Sequence, residues 1–133
     1  MEVNNNMVKD KKKAFIIGAG NLGTALAKYD NFRNCGLNIV ALFDNDKNKI
    51  GKPVNGVLVL DIARLPNLAR KFNVDIAILT LPEQYAQIIT NEIVRAGIKH
   101  IWNFTAAELI VPDDVNVKNE SLAAKFMSFA QEL

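Results

Sequence analysis

Apolar and polar positions alternate along this chain in two periods, and the alternation divides it into strands and helices. Ala14 to Gly18 is a continuous apolar run of strand length, and Leu22 to about Asp30 carries helical spacing. Leu37 to Phe43 predicts a second strand that ends at Asp44, followed by a polar loop over Asn45 to Lys52 and a turn at Asn55-Gly56. Val57 to Leu60 is a short third strand, and Leu65, Leu68 and Phe72 mark the buried stripe of the next helix. Ile76 to Leu79 is a fourth strand with Thr80-Leu81-Pro82 at its carboxyl end. A helix carrying Ile88, Ile89, Ile93 and Val94 follows and stops at Gly97. His100 to Phe104 predicts a fifth strand and Val115 to Lys118 a last one. Strands apolar on both faces and separated by helices point to a parallel sheet covered on both sides. The expected fold class is therefore α/β, a doubly wound parallel sheet.

Ser121 to Leu133 differs in kind. Leu122, Phe126, Phe129, Ala130 and Leu133 recur at helical spacing behind a Ser121 N-cap, and a face so apolar must be buried. Its own sheet and a second subunit are equally good covers.

Composition narrows the class. The 133 residues suffice for one domain, half of them are hydrophobic, and the formal charge is only +2. No apolar stretch is long enough to span a bilayer, and no hydrophobic core follows the early lysines as in a signal peptide. Lys9, Lys11, Lys12 and Lys13 form one basic cluster, read as a solvated edge because nucleic-acid modules carry broader basic faces. Residues 1–12 are thus expected to be a flexible polar leader. The single cysteine, Cys35, excludes an internal disulfide, fits a reducing cytoplasm, and is read as a small half-buried side chain near a turn.

The chemistry lies behind the first strand, in GAGNLG at 18–23. Gly18 permits the tight turn, Gly20 lets backbone approach a pyrophosphate, and Gly23 lets the helix pack close to the strand. The pyrophosphate would rest at the start of the helix beginning near Leu22. Asp44 closes the second strand, 21 positions after Gly23, where a carboxylate accepts hydrogen bonds from both adenosine ribose hydroxyls. That carboxylate, with Asp46 nearby, repels a 2′-phosphate, and although Lys47 and Lys49 are close in sequence no arginine compensates. NAD(H) is favoured over NADP(H). Ligands lie outside the carboxyl ends of the strands, which directs Thr80, Leu81, Pro82, Asn103, Phe104 and Thr105 toward the nicotinamide half. Neither segment offers an acid or base for hydride chemistry. His100 stands at the opposite strand end, Glu83 reads as a solvated helix-start residue, and no Tyr-x-x-x-Lys pair occurs. No catalytic residue and no metal site are assigned, so the bound dinucleotide is expected to be reported rather than turned over.

Taken together, GAGNLGTALAKY (18–29), FDND (43–46), LTLP (79–82), AGIKHIWNF (96–104) and VPDDVNVKN (111–119) resemble the C-terminal half of Rex, the bacterial redox-sensing transcriptional repressors. The likeness runs from about Lys13 to Ala124. It implies a Rossmann domain over 13–120 that senses the NADH/NAD⁺ ratio, within a homodimer that exchanges its C-terminal helices, here 121–133. By resemblance, Gly18, Gly20, Asn21, Leu22 and Gly23 hold the pyrophosphate and Asp44 the ribose. Thr80, Leu81, Pro82, Asn103 and Phe104 line the nicotinamide pocket, and Tyr29 matches a tyrosine near the nicotinamide that takes part in the switch. Family members carry a winged-helix DNA-binding domain ahead of this one, where here a polar leader stands, so DNA contact is expected only through such a domain or a partner protein. Ser121 replaces an aspartate that pairs with that domain, and Thr105-Ala106-Ala107 stands where the family prefers an alanine-proline pair. A nucleotide-binding protein of the CoA-binding class and a small NAD-dependent oxidoreductase are the alternative readings.

Overall fold

The computed structural model of the protein describes residues 11–120 and 129–132. The chain forms β1 (Lys12–Ile17), α1 (Asn21–Ala27), α2 (Asn31–Asn34), β2 (Leu37–Asp44), β3 (Pro53–Val54) and β4 (Val57–Asp61). A 3₁₀ turn at Ile62–Arg64 leads into α3 (Leu65–Phe72), β5 (Ile76–Leu79), α4 (Glu83–Arg95), β6 (His100–Asn103) and β7 (Asn116–Asn119). The seven strands lie in the order β3-β4-β2-β1-β5-β6-β7. All neighbours are parallel except β3 and β4. The doubly wound α/β sheet expected from the sequence is the fold observed.

β1 sits at the centre because its apolar run is flanked on both edges: Ile17 pairs with Phe43 on one side and Leu79 on the other. Side-chain alternation then sorts the core into two layers. Phe15, Ile17, Phe43, Leu79 and Ile101 face α3 and α4, with Phe15 and Phe43 meeting edge to face at 4.7 Å. Ala14, Ile16, Leu42, Val59 and Ile78 face the other way, where α1 supplies Leu26 and Ala27. Full burial of one such Ile or Phe contributes roughly 1.5–3 kcal/mol, so the strand centre is where most stability resides. Trp102 and Phe104 lie on this second layer half-buried, with the Phe32 ring of α2 5.9 Å from that of Trp102. No helix of the described residues is long and apolar enough to cross a membrane.

Several elements differ from expectation, each for a local reason. β1 begins at Lys12, inside the expected leader, because Lys12 N–H donates to the Gly36 carbonyl at 2.8 Å and Lys13 N–H to the Asp75 carboxylate at 2.9 Å. The remainder of that leader, residues 1–10, lies outside the described residues. α1 stops at Ala27 rather than Asp30. Tyr29 N–H turns to Leu26 at 3.1 Å in a tighter three-residue bond, and Asp30 and Asn31 start the separate short helix α2. The turn at Asn55 and Gly56 has φ of 51° and 79°, the paired left-handed geometry of a tight hairpin, and it adds the unexpected antiparallel strand β3. Pro53, which lacks an N–H, is tolerated there because β3 is the sheet edge. β6 ends at Asn103, one residue early, and β7 is displaced by one residue because Val115 N–H closes a turn onto Pro112 at 3.0 Å. Cys35 is exposed, not half-buried: it ends a four-residue helix at the surface. Of the expected terminal helix, residues 129–130 are helical with Phe129 exposed; 121–128 and 133 lie outside the described residues.

Candidate functional site

The glycine turn connects β1 to α1 and is held from both sides. Gly18 N–H donates to Phe43 O at 2.7 Å, and Thr80 N–H to Ile17 O at 2.9 Å. Gly18 has φ of +109°, which L side chains rarely adopt, so glycine is required there. A Cβ on Gly23 would overlap the Gly18 carbonyl oxygen, which is the close helix-to-strand approach read from the spacing. Around a Cβ on Gly20, by contrast, nothing lies within 4 Å, and the backbone there is open to the cleft. Gly20 caps α1 with no side chain closing the first turn, where Asn21 and Leu22 are exposed.

Asp44 arrives at this turn from the end of β2. One carboxylate oxygen accepts from Ala19 N–H and the other from Asp46 N–H, both at 2.9 Å. Each oxygen retains a further lone pair, so the half-buried carboxylate is oriented and still able to accept two hydroxyls. The Thr80 hydroxyl faces inward: it lies 2.8 Å from Gly18 O and 3.1 Å from Ile17 O, a donor that holds the glycine turn.

These residues surround a cleft of about 740 Å³ at the carboxyl edge of the sheet. Gly18, Gly20, Asp44, Thr80, Leu81 and Pro82 line it, joined by Asp46, Lys49, Ile62, Tyr85, Ile88 and Ile89. The last four went unnamed as site residues in the sequence. Their signal was available: Tyr85, Ile88 and Ile89 share one helical face, and α4 starts at the carboxyl edge, so its first turns overhang the cleft. Tyr85 and Ile88 are more than half exposed there, which identifies them as wall rather than core.

The structure does not bring Asn103, Phe104 or Tyr29 to this cleft. Asn103 is fully buried, and both ends of its amide are engaged: it donates to Ala107 O and Asn119 Oδ1 and accepts from Thr105 N–H and Oγ1. It clasps the loop after β6. Phe104 points to the opposite layer, 5.1 Å from Trp102. Tyr29 lies on that same side, 52% exposed and edge-on to Phe32 at 4.9 Å. The strand period explains the split, since successive residues take opposite faces. His100 is exposed at the amino end of β6, away from the cleft. Asp114 also lies away from it, its carboxyl held below the usual range by a 2.6 Å hydrogen bond from Lys99 and that residue's charge. Among the described residues no group of three or more His, Cys, Asp or Glu could hold a metal.

Residues 9–107 match the family described as CoA binding domain. The redox-sensing transcriptional repressor Rex of Treponema denticola is 49% identical over 116 residues, covering 87% of this chain and 55% of the relative. That of Caldicellulosiruptor saccharolyticus is 44% identical over 133 residues, covering 96% and 61%. The chain thus spans little more than half the length of these relatives. Among solved structures, RSP in complex with β-NAD⁺ and operator DNA superposes with a TM-score of 0.92 at 35% identity, over 98% of this chain and 63% of that one. RSP in complex with β-NADH gives 0.89 at 35% identity, over 98% and 66%. The chain belongs to the CoA binding domain family and, within it, matches the C-terminal domain of the Rex redox-sensing repressors.

Proposed function

We propose that this chain is an NAD(H)-sensing module of the Rex type, which reports the NADH/NAD⁺ ratio to transcription. The observation that carries this reading is the pairing of an oriented Asp44 carboxylate with the bare Gly20 backbone in one cleft. The first suits an unphosphorylated adenosine ribose and the second a pyrophosphate. The RSP neighbours, crystallised with β-NAD⁺ and with β-NADH, support the same ligand pair. Pyrophosphate contact falls to Gly18, Gly20, Asn21, Leu22 and Gly23, ribose contact to Asp44. Leu81 and Pro82 are kept as nicotinamide-side wall, Thr80 as the residue that positions the turn. Titration calorimetry with NADH, NAD⁺ and NADPH tests the proposal; micromolar or tighter NADH binding with weaker NADPH binding is expected. Absence of any NADH heat would overturn it.

The same reading makes the module a reporter rather than a dehydrogenase, working in the cytoplasm. Asp44, Asp46 and Lys49 gather at the end of β2 and just beyond it, the ribose side rather than the hydride side. DNA contact is assigned to a winged-helix segment or a partner protein. A homodimer through residues 121–133 is part of the proposal, supported by exposed Phe129 and by the half-buried pair Trp102 and Phe104. Phe126→Glu combined with Phe129→Glu is expected to shift the sedimenting species from dimer to monomer. A variant that stays dimeric at the same concentration removes the helix from the interface. The second reading is a CoA-type nucleotide, favoured by the family description.

A further inference from the structure

Residues 104–115 join β6 to β7 without forming a helix or strand, and they strap across one flank of α4. Leu109 and Val111 pack on the same core layer as Ile89, so Ile110 between them is turned outward and is 81% exposed. What holds Ile110 is its backbone. Gln87 Oε1 accepts its N–H at 2.8 Å, and Gln87 Nε2 donates to its carbonyl at 2.9 Å. Gln87 Nε2 also donates to Asn91 Oδ1 at 2.9 Å, one helical turn on, which sets the direction of the amide. One side chain thus closes a two-point clasp on a segment 23 positions away in sequence.

The nucleotide cleft lies on the other flank of the same helix. At 3.6 residues per turn, Gln87 stands about 200° round α4 from both Tyr85 and Ile89. Those two and Ile88 wall the cleft, and Tyr85 and Ile88 are more than half exposed there, whereas Gln87 does not line it. A nucleotide seated against this wall covers apolar surface, which favours an inward movement of the helix's first turns. Thr90, Ile93 and Ile98 are buried further along, so the movement is confined to those turns. The far end of the strap is tied elsewhere, through Asp114 to Lys99 at 2.6 Å. The Gln87 clasp is exposed, and hydrogen bonds of that kind are individually weak in water, so it can be made or released readily.

We infer that Gln87 is a positioning residue, the latch that passes filling of the cleft to the 104–115 strap and so to β7. The inference rests on the proposed NAD(H) reading of the cleft. Gln87 grips the main chain of the strap and shares a helix turn with the cleft wall, so movement on one flank of α4 is felt on the other. β7 leads in sequence to residues 121–133, the segment proposed to form the dimer, and the latch gives nucleotide binding a route toward it.

The test is hydrogen exchange of the strap amides in the full chain, with and without saturating NADH, beside calorimetric titration of NADH. It is run on the unaltered chain, Gln87→Ala, Gln87→Glu and Lys99→Ala. In the unaltered chain NADH is expected to slow exchange across 109–111 by about fivefold or more, the lower end of ordinary coupling between sites. In Gln87→Ala that response should fall below about twofold while NADH affinity stays within about threefold. Gln87→Glu keeps the acceptor for Ile110 N–H and loses the donor, so its response should lie between these limits. Lys99→Ala frees only the far end of the strap and should keep the full response. A purely structural Gln87 predicts faster exchange in both states with the NADH ratio unchanged, and that result would overturn the inference. So would an equal loss in Lys99→Ala, or NADH heat in the unaltered chain without any response of the strap. Absence of NADH heat in the unaltered chain would remove the NAD(H) reading and the latch together.

Discussion

Asp44→Ala is expected to lower NADH affinity by about a hundredfold or more while leaving the chain folded. Hydrogen bonds to a charged group contribute roughly 1.5–3 kcal/mol each, and every 1.4 kcal/mol is tenfold, so two ribose hydroxyls alone account for that loss. The substitution also removes the acceptor for Ala19 N–H and so frees the glycine turn that frames the pyrophosphate site. Because the deleted bonds are partly buried, a fall of a few degrees in Tm accompanies the loss, well short of unfolding a domain of this size. NADPH should lose less than NADH, since removing the carboxylate also removes its repulsion of the 2′-phosphate. Calorimetry with both nucleotides and a thermal melt read these effects separately. NADH affinity within threefold of the unaltered chain would remove Asp44 from the ribose site.

Much of that site was legible because it depends on backbone constraints that few residues satisfy. Gly18, Gly23 and Asp44 announce themselves by spacing: a positive φ, a close approach and a strand-end carboxylate each restrict the residue type. The mostly parallel sheet followed from uniformly apolar segments, and β5 was read to the residue because its four apolar positions are bounded by polar ones. What failed was orientation. Asn103 and Phe104 were grouped by being at a strand end, yet adjacent residues face opposite layers, and Asn103 spans its own loop. Thr80 lines the cleft, but which way its hydroxyl turns depends on carbonyls about sixty residues away in sequence. Tyr29 was carried by likeness, and the early end of α1 sets it on the aromatic side with Phe32. The α4 wall was missed for the opposite reason. Ile88 and Ile89 looked like core residues, and only the position of the helix start turns them toward the cleft.

Gly20→Ala and Gly23→Ala are expected to fail in different ways, and the contrast separates ligand space from packing. At Gly20 the backbone has φ of −82° and ψ of −158°, which alanine adopts without strain, and a new Cβ meets nothing within 4 Å. The methyl group would instead project where a pyrophosphate must approach the backbone. Gly20→Ala should therefore keep the Tm within about two degrees, since surface substitutions away from packing move stability by roughly 0.5 kcal/mol or less. Its NADH affinity should nevertheless fall at least tenfold. At Gly23 the added Cβ would overlap the Gly18 carbonyl oxygen of the turn and press at 2.9 Å on Thr80 Oγ1, the hydroxyl that holds that turn. α1 must move away from β1, which separates Ala27 and Leu26 from the second core layer. Overpacking of this kind costs about 1–3 kcal/mol, so Gly23→Ala should lose several degrees of Tm and the nucleotide together. Paired melts and NADH titrations on the two variants decide the matter. A Gly20→Ala protein that binds NADH normally would show that the pyrophosphate does not approach this backbone. A Gly23→Ala protein with unchanged Tm would show that α1 does not depend on its close contact with Gly18.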